Sequence, residues 1–203
     1  MLRSNARLNR VALALLSMQR HSWEQGVAMQ AFYELGQMDV VIALAREAVY
    51  RAMPDGRAAT IGVTDGVTDP CATGEALMAA AHMTGDELLC SGAAALLHWA
   101  LDTAPRSPAG VLYHLTTGRQ FWADSFYMLP PYLAASGHYD AALKNLYGYW
   151  SALYDTDAGM VRHMWDEETK DISAQGALGH RKWMGDGGVV AGNRTAPPRL
   201  CIR

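Results

Sequence analysis

Apolar positions along this chain recur at helical spacing, and each helical stretch breaks at a glycine. The first copy reads VAMQAFYELG then QMDVVIALAREAVY, turning at Gly36. The second reads GEALMAAAHMTG then DELLCSGAAALLHWAL, turning at Gly85. The third reads DSFYMLPPYLAASG then HYDAALKNLYGYWSAL, turning at Gly137. These glycines lie 49 and 52 residues apart. Each stands just past a helical pattern, where a residue without Cβ ends a helix in the left-handed conformation. Asp86, directly after Gly85, is placed to cap the next helix. Connections this short imply antiparallel helix pairs.

The two helices of a pair differ. The first is apolar nearly all round, as a buried inner helix would be. The second carries more charge, as an outer helix would: Asp39, Arg46, Glu47 and Arg51 in the first copy. Repeated hairpins of this length predict an all-α fold, an α-solenoid or a closed α/α toroid. Pro130 and Pro131 predict a break in the third inner helix. A fourth copy begins near His180, with Gly192 placed 55 residues after Gly137. There NRTAPPRLCIR has two prolines and no apolar period, so about three and a half hairpins are expected. One domain over 1–192 and an irregular tail over 193–203 follow. The start, MLRSNARLNRVALALLSMQR, joins basic residues to a short apolar run as a signal peptide does. No small-residue cleavage site follows cleanly, and the helical period predicts a first helix instead.

Composition narrows the class. The chain has 203 residues, half of them hydrophobic and 18% charged, enough for one globular domain with a sizeable core. Its net charge of −3 offers no basic field, so no nucleic-acid partner is expected. No stretch approaches the roughly 18–20 apolar residues of a membrane span, so no membrane partner is expected either. Cys71, Cys90 and Cys201 are widely spaced, without CxxC. That suits neither a disulfide framework nor a zinc site, and predicts buried free thiols in a reducing, cytoplasmic setting.

Candidate chemistry centres on HLTTGRQFWADSFYMLPPY, residues 114–132. It sets Asp124 among Phe121, Trp122, Phe126, Tyr127 and Met128. An apolar setting raises a carboxyl pKa, and a carboxyl that keeps its proton near neutral pH can act as a general acid. The plain alternative is a surface Asp on an amphipathic helix. Trp23, Asp69 and Asp124 precede their turn glycines by 13, 16 and 13 residues. Each therefore starts an inner helix, and hairpins arranged around an axis would bring the three to one end. Ser22 to Gln25 has the form of a capping box, and Asp69 before Pro70 that of an N-cap with proline at N1. Asp65 reads as a turn residue. His114 and His163 fall in connections, each after a Gly-apolar-x sequence, and are expected on equivalent short extended segments. Asp166, Glu167 and Glu168 form an acidic turn, with the two glutamates expected in solvent. No metal-ligand spacing, P-loop, GxGxxG or GxSxG is present, so no metal or other cofactor is expected.

Several of these stretches resemble, in order, motifs of the unsaturated rhamnogalacturonyl hydrolases, six-hairpin glycosidases of glycoside hydrolase families 88 and 105. They are HSWEQGVAMQAFYELG, TDPCATGEALMAAAHMTGD, GVLYHLTTGRQFWADSFYMLPPYLAASGHYDAAL and GMVRHMWDE. The W-x-D-S-x-Y-M-x-P-x-L stretch and H-x-W-D-E are the most specific parts. The resemblance implies an (α/α)6 barrel, here incomplete. It also implies an oligosaccharide substrate, ending in a 4,5-unsaturated uronic acid left by a polysaccharide lyase. The family hydrates the C4=C5 double bond: an acid protonates C4, water adds at C5, and the hemiketal so formed opens and releases the aglycone. The resemblance makes Asp124 the catalytic acid/base and Asp69 a second active-site aspartate. It sets Trp23, His114, Trp122, Met128, His163 and Trp183 around the sugar.

One stretch departs from the family. Its W-x-R/T-G-N-G-W motif corresponds here to Trp183-Met184-Gly185-Asp186-Gly187-Gly188-Val189. Gly185 stands where an Arg would bind the uronate carboxylate, and Val189 replaces the second Trp. At roughly 50–60 residues per hairpin, a full barrel needs over 300 residues, so a truncated member is expected. Its open flanks would favour self-association through exposed apolar helices. Two further readings stand beside the enzyme: a non-catalytic carbohydrate-binding or helical interaction protein, and a generic helical scaffold.

Overall fold

The computed structural model describes residues 5–170, apart from positions 59, 61 and 63. Its helices follow the apolar period. Helix α1 (Ala6–Met18) starts where the Asn5 side chain accepts from the N–H groups of Arg7 and Leu8. The first hairpin pairs α2 (Ser22–Glu34) with α3 (Met38–Tyr50), and the second pairs α4 (Gly74–Thr84) with α5 (Glu87–His98). The third inner helix is split into α6 (Ser125–Met128) and α7 (Pro130–Ala135), followed by the outer helix α8 (Tyr139–Leu153). The break falls at Leu129, directly before the two prolines, as their missing N–H groups require. Gly36, Gly85 and Gly137 all turn with positive φ, at 68°, 63° and 84°. Asp86 caps α5 through the Leu88 N–H at 3.0 Å. The predicted hairpins are therefore present, and the fourth copy lies outside the described residues, as do the tail over 193–203 and Cys201.

The hairpins form two layers. Helix α2 packs on α4 and α4 on α7, while α3 packs on α5 outside them. Met29, Phe32, Leu77, Leu89, Leu96, Tyr132, Tyr149 and Leu153 form the core between the layers. The inner helix α2 is not purely apolar there. Gln25 is fully buried, and its amide donates to Glu47 on α3 at 3.0 Å, so a hydrogen bond as well as apolar contact ties the first pair together.

Several local expectations change. The capping box is one residue early: His21 holds the N-cap, and Glu24 accepts from its N–H at 2.9 Å and also from that of Arg20. Ser22 is then helical and buried. Cys71 is buried as expected, but Cys90 is exposed on α5. Two short antiparallel ribbons join the helices: β1 (Gln120–Trp122) with β4 (Met164–Asp166), and β2 (Tyr154–Asp155) with β3 (Met160–Val161). Apolar side chains stand exposed on α1 (Val11, Leu13, Met18) and on α8 (Tyr139, Leu143, Tyr147, Trp150). Among the described residues no helix is long and apolar enough to cross a membrane.

One close approach matters for the site. A Cβ on Gly26 of α2 would sit 2.5 Å from the Ala72 carbonyl carbon, in the short 3-10 turn Asp69–Thr73. Gly26→Ala is expected to destabilise the fold by about 1–3 kcal/mol through overpacking against backbone. That outweighs the helix-propensity gain of at most about 1 kcal/mol. Urea unfolding checks this, and a midpoint equal to or above the parent's would contradict it.

Candidate active site

The site forms where two connections meet. The loop before the 3-10 turn pairs with the segment that precedes β1. The Val67 N–H donates to the His114 carbonyl at 2.8 Å, the Thr116 N–H to the Asp65 carbonyl at 2.7 Å, and Gly66 bridges Leu115. Asp65, expected in a turn, lies instead on the segment that pairs with Thr116, and its Oδ1 is buried and, among the described residues, not hydrogen-bonded. His114, expected on an extended segment, lies at a bend between the bridged Leu112 and Leu115 and is buried. His163 precedes β4, and its carbonyl accepts from the Ala123 N–H at 2.8 Å. The two histidines thus flank β1 from either side.

His114 is the hub. Its Nε2 lies 3.6 Å from Oδ1 of Asp69, and its Nδ1 lies 3.6 Å from Oδ1 of Asp124. The same Nδ1 shares hydrogen bonds with the Thr68 hydroxyl at 3.0 Å and the Ser125 hydroxyl at 3.2 Å. Those two hydroxyls are themselves 3.0 Å apart. Trp122 stacks on the imidazole at 4.4 Å, and the His163 ring lies tilted against Trp122 at 5.4 Å. The indole N–H of Trp122 donates to Gln120, whose amide donates to the buried Asp166. A chain of hydrogen bonds therefore fixes the ring that fixes His114.

The two carboxylates differ in setting. Asp69 does not cap the 3-10 turn: Thr68 takes the cap position, and Pro70 supplies no N–H. Its side chain is 19% exposed, and its Oδ1 has no hydrogen-bond partner among the described residues. Burial pushes its pKa up to about 6, against the pull of His114 and His21 and with a further push from Asp124 and Asp65. Asp124 is not immersed in apolar groups as its sequence neighbours suggested, since its side chain is 42% exposed. The local chain explains why. Phe121 and Phe126 turn inward onto Tyr149, Trp122 turns onto His114, and Tyr127 faces outward. The site thus offers one buried carboxyl with raised proton affinity and one open carboxylate, with a single imidazole between them.

The other expected residues fall into place unevenly. Trp23 is 39% exposed and stacks on His21 at 6.4 Å, so it joins the group through His21. Met128 is buried one turn after Asp124 and lines a shallow crevice with Cys71, Glu75 and Tyr132. Trp183 lies outside the described residues, as does the stretch around Gly185. Glu167 is not simply solvated: it accepts from the Tyr113 hydroxyl at 2.5 Å. His21, Thr68, Ser125 and Gln120 had no assigned role in the sequence. All four lie inside the motif stretches, His21 at the start of HSWEQG, Thr68 before Asp69, Gln120 and Ser125 on either side of Asp124, and that was their one signal. Among the described residues no cluster of three or more His, Cys, Asp or Glu could hold a metal ion.

Helical hairpins in two layers, with Asp69 and Asp124 at the starts of the second and third inner helices, define an α/α-type domain with a carboxylate pair at one end. The chain belongs to Glycosyl Hydrolase Family 88, whose sequence profile matches residues 4–184. It is 24% identical to the unsaturated rhamnogalacturonyl hydrolase YesR of Bacillus subtilis strain 168, over 48% of this chain and 32% of that protein. Its fold is similar to a family 105 glycoside hydrolase from C. acetobutylicum ATCC 824, with a TM-score of 0.59 and 18% identity. That match covers 80% of this chain and 49% of the other. A possible family 105 member from Klebsiella pneumoniae gives a TM-score of 0.60 at 19% identity, over 75% and 42%. The chain spans about a third of the curated relative and less than half of each of these structures. The fold is thus part of an (α/α)6 barrel.

Proposed function

We propose that this domain acts on oligosaccharides ending in a 4,5-unsaturated uronic acid and hydrates the C4=C5 double bond. The observation that carries this reading is the pair of carboxylates on either side of His114. Asp124, open to solvent, is the acid/base that meets the reacting carbons: it gives a proton to C4 and takes one from the water that adds at C5. The hemiketal at C5 then opens and the glycosidic oxygen leaves. Asp69, with a buried oxygen lacking a partner, accepts a hydrogen bond from a sugar hydroxyl. Trp122, His163 and Trp23 line the sugar, and Met128 closes the floor behind Asp124.

The test is incubation of the 203-residue protein with a lyase-generated unsaturated galacturonyl-rhamnose disaccharide. Loss of the ultraviolet absorbance of the conjugated enoate is expected, and a stable absorbance with no product sinks the reading. A second assignment has one observation in its favour. Asp69 is the carboxyl whose proton affinity is raised, to about 6. If Asp69 is the proton donor, turnover falls as pH rises through about 6. If Asp69 must be ionised to accept from the sugar, turnover falls as pH drops through the same point.

A non-catalytic carbohydrate-binding role is the alternative function, supported by Gly185 at the position where the family sets an Arg. Binding of the same disaccharide without turnover would favour it. The exposed apolar faces of α1 and α8 also support self-association. Sedimentation of the chain should then show a species larger than a monomer that Tyr147→Lys with Trp150→Lys shifts back. A monomer in the parent protein would refute this.

A further inference from the structure

The loop that delivers Asp69 reads TDGVTD over residues 64–69 and has little apolar content to shape it. It is held from behind by one arginine. Arg57 is buried, with its side chain 6% exposed, a placement that needs several partners. Its guanidinium donates to the carbonyls of Thr64 and Gly66, the latter at 3.0 Å. It pairs with Asp55 at 2.8 Å and lies 4.9 Å over the Trp99 ring. Trp99 in turn donates its indole N–H to the Val67 carbonyl at 3.2 Å. Three carbonyls of the loop are thus anchored from one side. On the other, the Val67 N–H and the Thr68 hydroxyl hold His114. Among the described residues Arg57 hydrogen-bonds to neither Asp69 nor His114.

We propose that Arg57, resting on Trp99, is a positioning residue for the Asp69–His114 pair and acts through the loop carbonyls rather than through its charge. Planarity is what the role needs. A guanidinium reaches two diverging carbonyls while keeping its carboxylate partner, which a lysine ammonium on a single stem cannot match. The proposal concerns the same site as the function above, but its test needs no turnover.

The charged groups that face Asp69 are His114, Asp124, His21 and Asp65. The test is a carbon-detected NMR titration of the Asp69 carboxyl in the full chain, comparing the parent with Arg57→Lys and Arg57→Met. A loosened loop admits water, so the Asp69 midpoint should fall in both variants by about one pH unit toward the ordinary carboxylate range. A pure charge effect has the opposite signature: loss of a cation raises the midpoint in Arg57→Met, and Arg57→Lys leaves it unchanged. Either of those results overturns the proposal. Trp99→Phe keeps Arg57 and an aromatic ring but removes the indole N–H that holds Val67, along with part of the buried ring, so a smaller fall in the same direction is expected. If Arg57→Met does not fold, Trp99→Phe decides, and an unmoved midpoint there refutes the role. A shifted midpoint in a protein that never turns over the disaccharide would retain this role and remove the proposed function.

Discussion

Asp124→Asn is expected to lower turnover of an unsaturated uronide disaccharide by about 10²–10⁴-fold, the usual contribution of a positioned acid or base. The change keeps size and shape and removes only the capacity to exchange a proton. The fold should not register it. Asp124 is 42% exposed at its side chain and makes no capping bond at the start of α6, so stability should stay within about 0.5 kcal/mol of the parent. The loss should fall on kcat with KM nearly unchanged, because a group that acts only in the transition state adds little to ground-state binding. Steady-state kinetics with a lyase-generated disaccharide measure both. A variant that keeps its kcat would remove Asp124 from the chemistry, and one that loses only KM would make it a binding residue.

How much of this was legible in the sequence depends on how local each cause is. The three turn glycines, the Asp86 cap and the proline break at Leu129 each rest on a few adjacent residues, and all are present. The strands are two or three residues long, too short to carry an alternating pattern, so β1 to β4 gave no signal. The capping box was displaced because both Ser22 and His21 can precede the helix, and only the reach of Glu24 decides between them. The setting of Asp124 was left open between an apolar pocket and a surface helix, and Asp69 was read only as an N-cap, for a related reason. Aromatic neighbours in sequence suggested a buried Asp124, but β1 sends successive side chains to opposite faces and leaves Asp124 at its open end. The burial of Asp69 depends on a loop pinned by Arg57 and Trp99, more than ten residues away on one side and thirty on the other. No window around Asp69 contains that information.

That burial has a thermodynamic consequence, and Asp69→Asn should expose it as a gain in stability. The carboxyl has its ordinary pKa of 3.8 in the unfolded chain and about 6 in the folded one. Between those values the folded state binds more protons than the unfolded state, so stability falls as pH rises through the window. Below about 3.8 the carboxyl is protonated in both states and costs nothing. Above about 6 the full penalty applies, about 3 kcal/mol at roughly 1.4 kcal/mol per pH unit. Asparagine cannot ionise, so the variant should be more stable than the parent by up to about 3 kcal/mol at pH 7. The gap should close as pH is lowered from 6 to 4. Taking the difference between the two proteins matters here. Asp55, Asp86, Asp155 and Asp166 are all held below the usual carboxylate range, Asp86 and Asp155 first by hydrogen bonds and Asp55 through Arg57 despite its desolvation. They destabilise both proteins equally in acid and cancel. Urea unfolding of parent and variant at pH 4, 5, 6 and 7 gives the curve. A gap that does not change with pH would mean that Asp69 is not strained by burial. A gap that grows in acid would reverse the sign argued here. The same variant should lose turnover, since it gives up the carboxylate that faces His114, so its stability and its chemistry would move in opposite directions, as expected for a residue held ready at a site at the expense of the fold.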